Sequence, residues 1–315
     1  MSLIERYGMA RLGAPSDLWH RTRRALRQHW PYYLMVLPVV AYFVLFLFWP
    51  TLQGLIISFQ KWGLMGPQGW VGFENYEKVF SDRTVLRALR NTLVISAGIT
   101  VLGVFLPILP ALALIEITPQ KARQGFQTVI YAPYLMSWVI IVGLWLNTLS
   151  PIGLVNSALL GLGVIDQPIP FLTSRLWGQP LVIGLTTWKD IGFLALIYYA
   201  ALMSLDQEIL DAASLDGAGP SAKIRHIILP HLAPVMRVVF FLTLLGSLRT
   251  FDSALLLMNG RTADTVRTLA VFTYERGILR FDLGFASAAG VLLLGISLAF
   301  LALSRLLPGV RGGIG

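Results

Sequence analysis

Long apolar stretches separated by shorter polar segments dominate the chain. A bilayer core of about 30 Å is crossed by roughly 20 apolar residues in a helix. Six stretches reach that length, at residues 32–59, 92–117, 126–149, 181–203, 235–258 and 284–303. The pattern therefore predicts an all-α fold, a polytopic membrane protein with six transmembrane helices.

The same pattern predicts three parts: a basic segment at 1–30, a transmembrane domain at 31–303 and a short tail at 304–315. The first apolar stretch is too long for the core of a cleaved signal peptide, which favours a retained helix.

Composition supports a lipid environment. Of 315 residues, 56% are hydrophobic and only 13% are charged, whereas soluble domains carry roughly 25% charged residues. These values exclude an ordinary soluble enzyme and a disordered chain. The chain has no Cys, so it has no disulfide, no thiolate metal site and no Cys nucleophile.

Basic residues predict the orientation of the chain. Lys and Arg accumulate in the cytoplasmic segments of membrane proteins, and the first 30 residues contain Arg6, Arg11, Arg21, Arg23, Arg24 and Arg27. We therefore expect a multi-pass protein of the inner (cell) membrane with both termini in the cytoplasm. The net charge of +9 is attributed to such loops, with no nucleic acid as partner.

Motifs for covalent chemistry are missing from the sequence. It contains no GxxxxGK[ST], HExxH or GxSxG, which would supply a phosphate loop, a zinc site or a nucleophilic serine. We therefore expect no catalytic residue, no metal site and no cofactor in this chain.

The most unusual polar segment lies at 204–234, between the fourth and fifth apolar stretches. Its spacing predicts two short helices. The expected markers are a capping box from Ser204 to Gln207, a break at Gly217 and Gly219, a start at Pro220, and ends at Pro230 and Pro234. Loops of this length are usually functional, but spacing alone leaves open a surface hairpin that only links two spans.

Residues 211–218 read D-A-A-S-L-D-G-A, followed by I-I-L-P at 227–230 and by Pro234. This run resembles the EAA loop of ABC importer permeases, whose pattern is EAA-x-x-DGA, a spacer, I-x-LP and a later Pro. Two positions depart from the pattern: Asp211 replaces the usual Glu, and Ile224 replaces the usual aromatic residue.

Four further segments resemble carbohydrate permeases, so the resemblance extends over 31–303. They are W-V-G-F-E-N-Y at 70–76, W-K-D-I-G-F at 188–193, the region 251–269, and F-D-L-G-F-A-S-A at 281–288. The chain is most similar to the first-subunit branch of maltose- and glycerol-phosphate-type permeases. Gly260-Arg261-Thr262 replaces the Gly-Gly-Pro that is common there.

The resemblance implies a function and a set of partners. The chain would form the translocation path for a sugar or sugar-like solute delivered by an extracytoplasmic solute-binding protein. It would pair with a second permease subunit and with two ATPase subunits, which bind ATP and Mg and carry out hydrolysis. The coupling helix that docks on the ATPase would contain Asp211, Ala212, Ala213, Asp216 and Gly217.

The resemblance also implies a solute path, at Thr186, Lys189, Asp190, Phe193, Thr243, Ser247 and Thr250. Hydroxyls and charged groups bond sugar hydroxyls, and an aromatic ring stacks on the sugar face. Ionisable residues in spans are functional candidates, which adds Arg249 and points to Asp252. Lys189 and Arg249 suggest an anionic solute.

Alternatives remain for these residues. Thr and Ser in spans often serve helix packing, and Lys189 and Asp190 could be hydrated or paired for structure, for example Asp190 with Arg249. An ion-coupled secondary transporter would instead use Lys189, Asp190 and Asp252 as a proton relay, and would have no need of the loop at 211–217. No pattern favours a membrane enzyme or a channel.

Overall fold

The computed structural model describes residues 30–304. The predicted basic segment and tail therefore lie outside the described residues, except for Trp30 and Ser304. Of the described residues, those up to Ile56 belong to one unit and those from Ile57 onward belong to a second.

The first unit is described from Trp30 onward and contains one long helix, α1, which runs on to Ile57. Its side chains are apolar and exposed all round. A helix that is apolar on every face is typical of a membrane span, as the sequence predicts for this stretch.

The second unit is a helical assembly with one small hairpin. Its elements are β1 (Gln60–Gly63), β2 (Gly66–Trp70), α2 (Glu74–Ser81), α3 (Arg83–Phe105), α4 (Ile108–Glu116), α5 (Gln120–Leu135), α6 (Trp138–Thr148), α7 (Leu154–Gly161), α8 (Arg175–Leu202), α9 (Gln207–Leu215), α10 (Pro220–Ser247), α11 (Asp252–Leu257), α12 (Ala263–Val266), α13 (Leu269–Tyr274) and α14 (Leu283–Ser304).

Helices α3, α8 and α10 pack on one another at the centre of this unit, and α4 and α5 pack on α8. Small residues allow close approach, as is usual between membrane helices: a Cβ on Gly103 of α3 would lie 3.1 Å from Cγ2 of Thr243 on α10. The buried Tyr198 of α8 donates a hydrogen bond of 3.0 Å to the carbonyl of Val104. These contacts fix the walls of the site described below.

The predicted third span is not one helix. Within residues 126–149, α5 and α6 meet at a bend of 101°. Pro133 lies in the last turn of α5, and Ser137 begins α6 by accepting a hydrogen bond from the Ile140 amide. Because Pro lacks an amide donor and Ser satisfies a free helix N-terminus, the chain changes direction here.

The predicted fifth span is shifted toward the N-terminus. Instead of 235–258, the helix α10 occupies Pro220–Ser247. Pro230 and Pro234 do not end a short helix, as the sequence suggested, but lie inside α10 after a π-helical turn at Ile224–Ile228. Prolines and π turns both interrupt the regular i→i−4 hydrogen bonds of an α-helix, so they can occur close together in one helix.

Candidate functional site

The predicted coupling loop forms a helical hairpin from α9 and the start of α10. Asp206 is the N-cap of α9, accepting a hydrogen bond of 3.0 Å from the Glu208 amide. The predicted capping box at Ser204 is wrong, because the Ser204 hydroxyl donates to the Ala201 carbonyl at the end of α8. The first helix of the loop therefore begins at Gln207, as its cap requires.

Gly217 ends α9 in a left-handed conformation, with φ of 80°. The Gly217 amide bonds the Ser214 carbonyl, and the Ala218 amide bonds the Ala213 carbonyl at 2.8 Å. This is the Schellman arrangement, which favours Gly because a side chain is strained at positive φ. The predicted break at Gly217 is confirmed.

The hairpin has no hydrophobic core of its own. No residue of α9 is buried, and two large apolar side chains are exposed, Ile209 at 49% and Leu215 at 91%. Lys223 of α10 ties the two arms together through a hydrogen bond of 2.6 Å to the Ser214 hydroxyl. The structure therefore brings the five predicted coupling residues together on one surface-exposed segment.

A cavity of about 440 Å³ lies among α3, α8 and α10, beside the α5–α6 bend and the turn after α10. Seven of the eight predicted solute-path residues line it: Thr186, Asp190, Phe193, Thr243, Ser247, Arg249 and Thr250. A volume of this size is typical of ligand sites.

Arg249 and Asp252 do not lie inside a span. Helix α10 ends at Ser247 and α11 begins at Asp252, so Arg249 lies in the turn between them and Asp252 is the first residue of α11. Both side chains are exposed to the cavity. Non-helical backbone at membrane depth is tolerated where it lines a polar cavity.

The charged groups of the cavity form no ion pairs with one another. Among the residues that the structure describes, no ion pair involves Asp190, Arg249 or Asp252. The Asp190–Arg249 pair that the sequence left open is therefore absent. Unpaired charges in a cavity are available to a ligand.

The hydroxyls of the cavity wall are partly engaged in the protein. Thr186 and Ser253 share a hydrogen bond of 3.2 Å between α8 and α11, and Thr250 donates to the Ser247 carbonyl at 2.7 Å. A hydroxyl that donates keeps acceptor capacity, so these groups serve packing and can still accept from a ligand.

Lys189 is the predicted path residue that the structure places elsewhere. It is only 7% exposed and does not belong to the cavity lining. Its ammonium group donates a hydrogen bond of 2.7 Å to the Tyr134 carbonyl at the end of α5. A lysine adjacent to Asp190 on a helix points about 100° away from it, which accounts for this position.

Several residues of the cavity lining were missed by the sequence reasoning, and three of them carry polar or aromatic groups with a clear place in the site. Tyr134 and Trp138 reach the cavity from the two sides of the α5–α6 bend, and the bend itself has no clear signature in an unbroken apolar run. Thr187 lines the cavity with a buried hydroxyl that has no partner among the described residues. From the sequence alone, a Thr in an apolar stretch that lines a cavity cannot be distinguished from a Thr that packs against another helix.

Comparison with known proteins decides the family. Residues 30–311 match the family described as the inner membrane component of binding-protein-dependent transport systems. The chain belongs to this family. It is therefore a transport permease component of a membrane and not an enzyme, and the resemblance to ABC importer permeases of the carbohydrate-uptake type is confirmed.

Two relatives illustrate the sequence similarity of this permease to known transport proteins. The polygalacturonan/rhamnogalacturonan transport system permease protein YteP of Bacillus subtilis is 32% identical, over 87% of this chain and 86% of YteP. The lactose transport system permease protein LacF of Rhizobium radiobacter is 30% identical, over 82% of this chain and 87% of LacF.

Solved structures agree with the fold. A bacterial ABC transporter for import of the acidic polysaccharide alginate has a chain that is 32% identical, with a TM-score of 0.80 over 91% of this permease and 99% of that chain. A structure of a bacterial alginate ABC transporter with a periplasmic protein bound to an alginate pentasaccharide gives a TM-score of 0.82 at 30% identity, over 93% and 98%. The all-α fold with membrane-spanning helices is thus confirmed.

Proposed function

We propose that this chain forms the translocation path of an ABC importer for an oligosaccharide. The observation that carries the proposal is the cavity of about 440 Å³ between α3, α8 and α10, which combines hydroxyls, charged groups without ion pairs and aromatic rings. These are the groups that a sugar needs for hydrogen bonding and stacking. The relatives named for lactose, pectic polymers and alginate support the same solute class.

The importer is proposed to contain further subunits. A second permease of similar fold completes the membrane path, two ATPase subunits bind ATP and Mg, and an extracytoplasmic binding protein delivers the solute. The related alginate transporter has been solved with a periplasmic protein. Both termini of this chain, and the α9 hairpin, are assigned to the cytoplasmic side.

The proposed coupling contact is the segment with Asp211, Ala212, Ala213, Asp216 and Gly217. Its support is the absence of any buried residue in α9 and the exposure of Ile209 and Leu215, since exposed apolar groups on a folded segment mark contact surfaces. Docked on the ATPase, the hairpin transmits closure of the ATPase pair to the spans, which alternate between two states.

Within the oligosaccharides, an acidic chain is the favoured solute. Arg249 faces the cavity without an ion pair among residues 30–304, and a guanidinium is suited to bidentate contact with a carboxylate. Asp190 and Asp252 in the same cavity would accept hydrogen bonds from sugar hydroxyls. Two of the relatives are named for pectic polymers or alginate.

The test compares an oligogalacturonate with a neutral galacto-oligosaccharide of equal length, in proteoliposomes containing the complete importer. Arg249→Ala should reduce uptake of the acidic solute by about 10- to 100-fold, since a hydrogen bond to a charged group contributes about 1.5–3 kcal/mol. Uptake of the neutral solute should change little. Arg237→Ala is the control, because Arg237 is exposed on α10 and does not line the cavity.

Equal loss for both solutes would remove the acidic assignment. Uptake by this chain alone that collapses with a proton uncoupler and ignores ATP would instead establish the secondary transporter, with Asp190 and Asp252 as relay groups.

A further inference from the structure

The bend between α5 and α6 leaves the C-terminal end of α5 without a continuing helix. Tyr134 lies in the last turn of α5, so its carbonyl has no amide partner one turn further along the helix. The chain then turns through 101° into α6. The last carbonyls of a helix have no donor within the helix and take one from elsewhere.

Lys189 of α8 supplies that donor. Its Nζ lies 2.7 Å from the Tyr134 carbonyl oxygen, and 5.1 and 5.5 Å from the ring centroids of Tyr134 and Trp138. One ammonium group therefore contacts residues on both sides of the bend. A cation is favoured at a helix C-terminus by the helix dipole, and over aromatic faces by their quadrupole.

No acidic side chain forms an ion pair with Lys189 among the residues described. The buried charge is stabilised by the carbonyl and the two rings, together with the electrostatic attraction of the adjacent Asp190 carboxylate. Because an unpaired buried charge is costly, its presence at a position that an apolar residue could fill indicates a role other than net stability.

The next turn of α8 packs against the same end of α5. Gly192 lets the backbones meet, since a Cβ there would lie 2.0 Å from the Ile130 carbonyl oxygen. Phe193 then stacks on the Tyr134 ring, with centroids 4.7 Å apart and planes 9° from parallel. Lys189, Gly192 and Phe193 thus form one face of α8 that holds the last turn of α5.

These contacts between α8 and α5 position residues that line the cavity. Tyr134, Trp138 and Phe193 all line the cavity, and Lys189, which contacts two of them, does not. We call these three rings the aromatic platform.

We propose that Lys189 is a positioning residue that clamps the α5–α6 bend and thereby sets the aromatic platform. It does not contact the solute. Lys189→Met keeps an unbranched apolar side chain and removes the ammonium group. The bend then loses the group that contacts both of its sides, and the cost of burying a charge disappears as well. The expected consequence is a change in the geometry of the bend, with the protein still folded.

The first test measures the bend directly and needs no solute. The chain has no Cys, so spin labels at Thr128→Cys on α5 and Leu144→Cys on α6 report one distance in an importer whose partners lack Cys. Both positions are exposed. In the nucleotide-free state we expect a narrow distance distribution for the parent, and a shifted or broadened one for Lys189→Met. Lys121→Met, at the other end of α5, is the control and should match the parent.

The second test rests on the proposed function and uses uptake of the oligogalacturonate and of the neutral galacto-oligosaccharide. Lys189→Met should raise KM by a similar factor for both solutes. Combined with Tyr134→Leu, it should add little to the loss that Tyr134→Leu causes alone, because both changes disable one platform.

The two tests separate the possible failures. An unchanged distance distribution in Lys189→Met overturns the clamp, whatever the solute is. So does a loss confined to the acidic solute, or losses that multiply in the double variant, because either result places Lys189 in direct contact with the solute. If neither sugar is taken up by the parent, the proposed function fails while the distance measurement still decides the clamp.

Discussion

Gly192 offers the sharpest test of the packing that forms the cavity wall. In Gly192→Ala the new Cβ would lie 2.0 Å from the Ile130 carbonyl oxygen and 2.8 Å from the Tyr131 Cα. An ordinary van der Waals separation is about 3.5 Å, so α5 and α8 must move apart locally by about 1.5 Å. The obstructing atoms are backbone, which cannot rotate away as a side chain can.

Overpacking of this kind costs about 1–3 kcal/mol, and we take the middle of that range. A loss of about 2 kcal/mol corresponds to a lowering of Tm of roughly 4–8 °C in a domain of this order of size. Thermal unfolding of the purified complex, followed by tryptophan fluorescence, measures the shift. Because α5 carries Tyr134 to the cavity, the KM for the solute should rise as well.

Gly184→Ala is the matched control, two turns earlier on the same helix. A Cβ at Gly184 meets no atom within 4 Å, and Ala is favoured over Gly in a helix by about 1 kcal/mol. Its Tm should therefore equal or exceed that of the parent. If Gly192→Ala melts at the same temperature as Gly184→Ala, the close approach of α5 and α8 is not as described.

Further predictions concern the coupling hairpin and the core. Pro cannot adopt the φ of 80° that Gly217 has, so Gly217→Pro should leave ATP hydrolysis active but largely abolish uptake. The control is Gly219→Ala, which should behave as the parent because Gly219 has a φ of −69°. Equal uptake in the two variants would refute the coupling role. A bulky Trp at Ala213 should likewise uncouple hydrolysis from uptake, as measured in the same proteoliposomes. Tyr198→Phe removes the hydrogen bond to Val104 and should lower stability by about 1 kcal/mol with the solute KM unchanged; a large KM change would show that Tyr198 acts on the cavity.

The membrane spans could be predicted from the sequence because hydropathy and helix length are local properties. Within residues 30–304 there are five helices of spanning length and composition, and the α5–α6 pair supplies a sixth crossing if it counts as one span. The end of α9 at Gly217 could also be predicted, since a positive φ demands a particular residue. Such features depend on a few neighbouring residues.

The α5–α6 bend could not be predicted from the apolar pattern. Leu135, Met136 and Trp138 continue the hydrophobic run through the bend, and hydropathy does not record the direction of a helix. For the fifth span, the sequence suggests a break that the structure does not have. The sequence places the ends of a short helix at Pro230 and Pro234, whereas both prolines lie inside α10 after a π turn.

The chemistry of single side chains depended on where neighbouring helices lie. Six of the seven path residues that line the cavity could be predicted because the resemblance implied their positions, and Arg249 could be predicted because it is ionisable in an apolar stretch. Lys189 is implied by the same resemblance but reaches a carbonyl on α5, which no sequence spacing shows. Tyr134 and Trp138 line the cavity only because the bend turns them toward it.

Photo-crosslinking from the coupling hairpin tests the central claim most directly. A photoreactive residue placed at Leu215, which is 91% exposed on the hairpin, is activated in membranes that contain the complete importer. The account predicts a covalent adduct with the ATPase subunit, lost when that subunit is omitted. An adduct with the extracytoplasmic binding protein, or none with the ATPase in an importer active in uptake, would contradict it.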